Sequence, residues 1–307
     1  MKNVDKMDKR ISKLLKKKQL EDLDTIRMIE KILITKRGFV FKMPKPKSPI
    51  VLQLSGGIDT VSMIVYLIKK YDLVVYPLFI RRGQARVKKE EDSVDFFNKI
   101  FLKKYPDNYR NVFKIETRFP PMEIRKTIIR FADKKVSNKS IKRWGIPMFA
   151  SLLTSFSVEY AFYIEHVDGL RIRTIFCAAV DGDGDYVAHH SLTGLRGVML
   201  NICTQTQDFS WQFTSPFTEP AIGVFGGKEE LIRWGHESGL PIHKSWSCYL
   251  KNTFHCGQCD SCSGRRAAFN KSGIEDKTVY ISDLTRMSYV KKIVRYYMER
   301  ISEEVKK

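Results

Sequence analysis

The run Val51-Leu-Gln-Leu-Ser-Gly-Gly-Ile-Asp-Thr60 leaves a chain few folds to choose from. A short apolar stretch meets a hydroxyl, two glycines, an acid and a second hydroxyl, and an apolar helical pattern follows over Asp59–Tyr71. That is a strand turning directly into a helix. The alternation continues. Leu73–Ile80, Asn111–Phe119 and Arg173–Val180 read as strands; Glu90–Tyr105, Glu123–Phe131, Phe149–His166 and Lys228–Ser238 read as helices, and Tyr289–Val305 as a charged C-terminal helix. Strands alternating with helices predict an α/β fold: a parallel sheet with helices on both faces and right-handed crossovers. Ligands in such sheets sit beyond the carboxyl ends of the strands, where Ser55–Thr60 falls.

The chemistry of that turn suits an anion. Gly56 and Gly57 let the backbone come close to a ligand and adopt positive φ. The helix opening near Asp59 aims free N–H groups at the same point. Ser55 and Thr60 add hydroxyls. A Walker A loop requires a lysine in GxxxxGK[ST], and there is none; the dinucleotide pattern GxGxxG is also missing. Asp59 beside phosphates calls for a bridging Mg²⁺, or else caps the helix.

Four of the six cysteines fall within fifteen residues, spaced Cys248-x7-Cys256-x2-Cys259-x2-Cys262. Four thiolates in one loop can close a tetrahedral shell, so a structural Zn²⁺ is expected, with an iron–sulfur cluster as the rival. Lys244, Lys251, Arg265 and Arg266 flank the group and would offset its negative charge. Cys177 and Cys203 read as small buried hydrophobes.

The net charge of +20 is concentrated. Residues 1–48 hold 15 Lys/Arg against 6 Asp/Glu, and residues 103–144 hold 13 against 4. Such stretches attract nucleic acid or an acidic protein. MKNVDKMDKR does not resemble a signal peptide and no apolar run reaches membrane-spanning length, so a cytoplasmic protein without a membrane segment is expected. Three parts are expected: a basic helical N-terminal extension and linker over 1–48, a nucleotide-binding α/β domain over 49–245, and the cysteine segment with C-terminal helices over 246–307.

The turn resembles the pyrophosphate loop of the PP-loop, or N-type, ATP pyrophosphatases, in which the β- and γ-phosphates leave together. That family's loop ends in Ser; Thr60 keeps the hydroxyl. The segments Trp246–Tyr249, Cys256–Phe269 and Ser272–Tyr280 resemble the C-terminal signature of the 7-cyano-7-deazaguanine synthases, as do Gly227–Glu230 and Gly239–Pro241 before it. Phe79–Gln84, FIRRGQ, resembles that family's stretch after its second strand. The likeness runs in blocks from about Ile50 to Tyr280.

The resemblance implies a Rossmann-like (adenine nucleotide alpha hydrolase-like) α/β domain with a zinc-bound cysteine loop, and an adenylate-forming enzyme. It would use ATP and Mg²⁺ to activate the carboxylate of a 7-deazaguanine, release AMP and pyrophosphate, and give an amide or nitrile. It places Ser55, Gly56, Gly57, Asp59 and Thr60 on the ATP phosphates, Phe79 and Gln84 in the nucleotide pocket, and Asp59 and Lys228 in catalysis. A homodimer is also expected.

Two places depart from the family. Ile146-Pro-Met-Phe-Ala150 replaces its Pro-Gly-Arg-Asn run. Val187-Ala-His-His-Ser-Leu192 replaces the segment where deazapurine recognition is expected, although Asp185-Tyr186 is kept. Asp181, Asp183, Asp185 and Tyr186 are therefore the candidate substrate pocket, a tight turn being the alternative. His189 and His190 read as exposed loop histidines, with acid–base chemistry as the alternative. The rebuilt segment leaves the acceptor open: ammonia, or an amine on a macromolecule. Competing readings are a PP-loop enzyme that modifies tRNA or other nucleic acid, and a non-catalytic nucleotide-binding protein of a defence or modification gene cluster.

Overall fold

The computed structural model describes residues 15–121, 123–124, 148–250 and 252–286. In chain order the main elements are α1 (Leu23–Arg37), β1 (Pro49–Leu54), α2 (Ile58–Tyr71), β2 (Val74–Arg81), α3 (Val87–Lys104), β3 (Phe113–Glu116) and α4 (Phe149–Asp168). There follow β4 (Thr174–Phe176), α5 (Leu192–Thr206), β5 (Gln212–Thr214), α6 (Lys228–Glu237), α7 (Asp260–Ser272) and α8 (Ile281–Arg286). All strand pairs are parallel, in the order β3-β2-β1-β4-β5. The chain winds outward from β1 in both directions, so the crevice lies beyond the carboxyl ends of β1 and β4.

Side chains alternate across the sheet. Ile50, Leu52 and Leu54 face a core shared with α2, α3 and α6, while Val51 faces a second core with α1, α4 and α5. Helix α2 is buried on nearly every side because it lies between the sheet and α6. The close approach of α6 depends on Gly235, where a Cβ would stand 2.7 Å from Ser62 Oγ.

Helix α1 is capped by Asp22, which accepts from Asp24 N–H and Thr25 N–H, and ends at Gly38 with φ 84°. It packs on α5. There the buried Arg196 donates to Glu30 Oε1 at 2.9 Å and to both Glu219 oxygens at 2.7 and 2.8 Å. Arg37 donates to the carbonyls of Phe209 and Trp211. The described part of the N-terminal segment is thus joined to the sheet domain through polar contacts.

Two elements escape the sequence pattern. Helix α5 and strand β5 form where no element is expected. Gly194 and Gly197 depress helix propensity in α5, yet Leu192, Leu195, Met199 and Ile202 recur at helical spacing and are buried. Ser191 caps it, accepting from Gly194 N–H. Strand β4 stops at Phe176, short of the expected Val180, and the chain after it becomes a wall of the crevice. Cys177 and Cys203 are buried as expected. The expected helices over Glu123–Phe131 (all but its first two residues) and Tyr289–Val305, the start of the basic extension, and half of the 103–144 block lie outside the described residues. No helix of the described residues is long and apolar enough to cross a membrane.

Candidate active site

The crevice holds a cavity of about 280 Å³ lined from three strand ends, four helix starts and the cysteine segment. Ser55, Gly57, Asp59 and Thr60 form one wall, Phe79, Arg82, Gln84 and Arg86 another. Cys177–Ala179, Asp183 and His190 follow β4, and Lys228, Trp246 and Tyr249 close the ring, with Phe149 at the start of α4.

The two glycines differ. Gly56 has φ 72°, and a Cβ on it would lie 2.6 Å from the Glu90 carbonyl oxygen. Its own carbonyl accepts from Ser93 Oγ at 2.7 Å and from Trp246 N–H at 3.0 Å. Gly56 therefore ties the turn to α3 and to the cysteine segment and faces away from the cavity. Gly57 has φ −75° and lies at the N-terminus of α2, so the positive φ expected of both glycines holds only for Gly56. Thr60 Oγ1 donates to the Gly57 carbonyl at 3.1 Å and lies 3.3 Å from Ser55 Oγ.

Lys228, the first residue of α6, reaches back across the cavity. Its Nζ is 2.8 Å from Asp59 Oδ2. The other oxygen, Asp59 Oδ1, is buried with no hydrogen-bond partner among the described residues. Burial pushes Asp59 and Asp183 above the usual carboxylate range, against the pull of Lys228. Burial would lower Lys228, yet the two carboxylates hold it above its usual range, so the ammonium stays charged. Two acids around one cation, with an orphaned oxygen, suit a second cation such as Mg²⁺.

The remaining expected site residues divide. Phe79 lies buried at the cavity wall. Gln84 also borders it, but its side chain is engaged: the amide donates to Glu90 Oε2, and its oxygen accepts from Arg82 N–H at 3.0 Å. Of the four expected substrate-pocket residues only Asp183 borders the cavity. Asp181 pairs with Lys18, which lies 3.6 Å from Asp185, and Tyr186 is 73% exposed. The reason is the tight 3-10 turn Asp183–Asp185, which sends neighbouring side chains in different directions. His190 is no exposed loop residue: it lines the cavity, and burial and Lys228 together push its imidazole down to about 4. The composition of the crevice also includes Arg82, Arg86, Phe149 and Tyr249, which the sequence pattern does not single out. Arg82 lies over the Phe149 ring at 4.7 Å and Arg86 over the Tyr249 ring at 4.8 Å.

Cys248, Cys256, Cys259 and Cys262 converge, with all four Sγ atoms within 4.8 Å of one another. The Cys256–Cys262 separation of 3.8 Å is close to the ~3.8 Å edge of a tetrahedron built on metal–sulfur bonds of about 2.3 Å. Cys248 Sγ accepts from Leu250 N–H and Cys256 N–H, and Cys256 Sγ from Gln258 N–H and Cys259 N–H. Burial opposes ionisation of Cys256, but those last two N–H groups help bring its thiol down to about 7. The four sulfurs could hold a metal ion. Of the flanking cations, Arg265 donates to Ser245, Ser247, Ile242 and Thr278, and Arg266 pairs with Asp283. Lys251 lies outside the described residues.

This is a doubly wound parallel α/β domain with a hydroxyl- and glycine-rich turn at its switch point and a four-cysteine loop built into the cavity wall. Residues 197–273 match the family model described as queuosine biosynthesis protein QueC. A 7-cyano-7-deazaguanine synthase of Prochlorococcus marinus is 27% identical over 234 residues, covering 74% of this chain and 95% of that one. One from Methanothermobacter thermautotrophicus is 48% identical over 61 residues, which span 20% of this chain and only 27% of the relative. A 4-thiouridine synthetase solved with RNA and ATP aligns over 74% of this chain and 50% of its own at 13% identity and a TM-score of 0.40, too loose a likeness to bear on chemistry. The chain is similar to the QueC-like 7-cyano-7-deazaguanine synthases.

Proposed function

We propose that this chain is an ATP-dependent enzyme that joins a 7-deazaguanine carboxylate to AMP and then to a nitrogen nucleophile. The observation that carries this reading is the Asp59–Lys228 pair set beside a hydroxyl- and glycine-rich turn that has no Walker lysine. A lysine within the loop would favour loss of the γ-phosphate alone. Here the cation comes from α6, across the cavity from the turn.

In this scheme Gly57, Ser55, Thr60 and the start of α2 hold the departing β- and γ-phosphates. Asp59 would hold Mg²⁺, which neutralises phosphate charge. Lys228 stabilises the negative charge that grows at the α-phosphate. A carboxylate oxygen of the substrate attacks the α-phosphorus; the bond to the bridging oxygen breaks, and pyrophosphate leaves with that electron pair. Phe149, Trp246 and Tyr249 offer flat faces to a heterocycle, and Arg82 and Arg86 bring positive charge to its acid group.

The four cysteines would hold one structural Zn²⁺, since four protein sulfurs leave no open position. Its role here is positional: Trp246 and Tyr249, on the cavity wall, adjoin Cys248, and Trp246 N–H fixes Gly56. The nucleophile is ammonia or an amine on a macromolecule.

Mass spectrometry of products from ATP and 7-carboxy-7-deazaguanine, with and without ammonium, tests the reading. AMP, pyrophosphate and an amide or nitrile are expected. ADP and phosphate as the products would overturn it.

A further inference from the structure

We propose that His190 is the base that removes the proton from the nitrogen nucleophile as it attacks the adenylated carboxylate. The inference rests on the adenylation reading above and adds the residue that serves its second half.

His190 ends the short 3-10 turn Ala188–His190, inside the segment that replaces the family's deazapurine-recognition stretch. Its ring lies edge-on to His189 with centroids 4.6 Å apart. Nδ1 is 4.0 Å from Asp183 Oδ2, beyond hydrogen-bond range. No hydrogen bond from either ring nitrogen to a described residue is present, and the side chain borders the cavity that also holds Asp59 and Lys228. A polar ring placed in a cavity without a partner is available to a ligand.

The neighbouring groups are poor bases. Lys228 is kept protonated by two carboxylates. Asp59 is bound to it. Glu90 is held by Arg86 and Gln84. The Cys177 thiol is pushed up to about 12 by burial, so it stays protonated and neutral. Asp183 accepts from Val180 N–H at 3.2 Å. His190 is the neutral nitrogen base among the described residues of the cavity wall. Burial and Lys228 oppose the imidazolium that forms when the proton arrives, which favours its onward loss to water.

The step balances simply. The nitrogen lone pair forms the C–N bond, and the C–O bond to the phosphate breaks, its electron pair leaving on AMP. The proton on nitrogen passes to the imidazole and then to water. Without a base, the protonated amine is the better leaving group and the adduct reverts. AMP needs no proton to depart.

Two half-reactions separate the outcomes. Acid-dependent exchange of labelled pyrophosphate into ATP reads adenylation alone; amide formation from ammonium reads both halves. In His190→Ala and His190→Gln, exchange should stay within about threefold of the unaltered chain. Amide formation should fall ~100-fold or more, the usual contribution of a positioned base, and added imidazole should restore part of it in His190→Ala. Amide formation falling no further than exchange, or both falling together in both variants, overturns the assignment. If the unaltered chain shows no acid-dependent exchange, the adenylation reading fails first, and its failure is visible without any variant.

Discussion

The adjacent glycines of the turn should fail in different ways when each is given a methyl group. Gly56→Ala meets two costs. The backbone is at φ 72°, where an L-residue with a Cβ loses ~1–2 kcal/mol. The new Cβ also lies 2.6 Å from the Glu90 carbonyl, while real Cβ contacts essentially never fall below 3.0 Å, so the backbones must part by at least about 0.4 Å. Forced repacking of this kind costs ~1–3 kcal/mol. The total is about 2–5 kcal/mol, and the movement breaks the Ser93 and Trp246 bonds to the Gly56 carbonyl. Gly57→Ala keeps φ −75° and meets the Ser55 hydroxyl at 3.2 Å, which can rotate away, and the Trp246 carbonyl oxygen at 3.7 Å, an ordinary contact. Its stability change should stay under ~1 kcal/mol, consistent with the small effect of Gly-to-Ala exchanges at compatible positions. Its methyl group would nevertheless stand where phosphate must approach. Denaturant unfolding and pyrophosphate release, measured on both variants, check this. Gly56→Ala should lose stability and activity; Gly57→Ala should lose activity with its unfolding midpoint nearly unchanged. Equal losses of stability in the two variants would refute the assignment of Gly56 as the buried tie and Gly57 as the ligand-facing residue.

Lys228→Gln should cut pyrophosphate release by ~100-fold or more, the range seen when one transition-state donor is removed, with circular dichroism unchanged; a loss below threefold would remove Lys228 from the chemistry. Metal analysis should find one ion per chain, and Cys256→Ser or a chelator should abolish it. Loss of the ion should also weaken ATP binding, measured by calorimetry, because Trp246 N–H holds the Gly56 carbonyl. Arg81 and Lys114 hold the Glu91 carboxyl down to about 2, against an ordinary value of 4.5. A depressed acid contributes its stability above the unfolded value and loses it as pH falls, so this share should be full above about pH 4.5 and gone near pH 2. Glu91→Gln should flatten the unfolding curve across that window.

The sheet was legible because its central strands are apolar runs flanked by helical patterns, and β1 and β2 need no partner to announce themselves. Strand β5, Gln212–Thr214, carries only three residues and no run, and it exists because Cys177 N–H and β4 give it a ladder. The cysteine group was legible from spacing alone, since chain separation limits where four thiolates can go. Lys228 and Asp59 were named from a resemblance; their 2.8 Å contact joins residues 169 positions apart and has no local signature. The acidic turn misled for a related reason. Asp181, Asp183 and Asp185 look equivalent along the chain, but a 3-10 turn points them differently, and Lys18, far upstream, draws Asp181 and Asp185 away from the cavity.

Oxygen transfer tests the central claim most directly. With 7-carboxy-7-deazaguanine labelled with ¹⁸O in its carboxylate, attack on the α-phosphorus puts one labelled oxygen into AMP once the adenylate is consumed by nitrogen. The account predicts AMP heavier by one ¹⁸O and pyrophosphate without label. Unlabelled AMP, or label in inorganic phosphate, would contradict it.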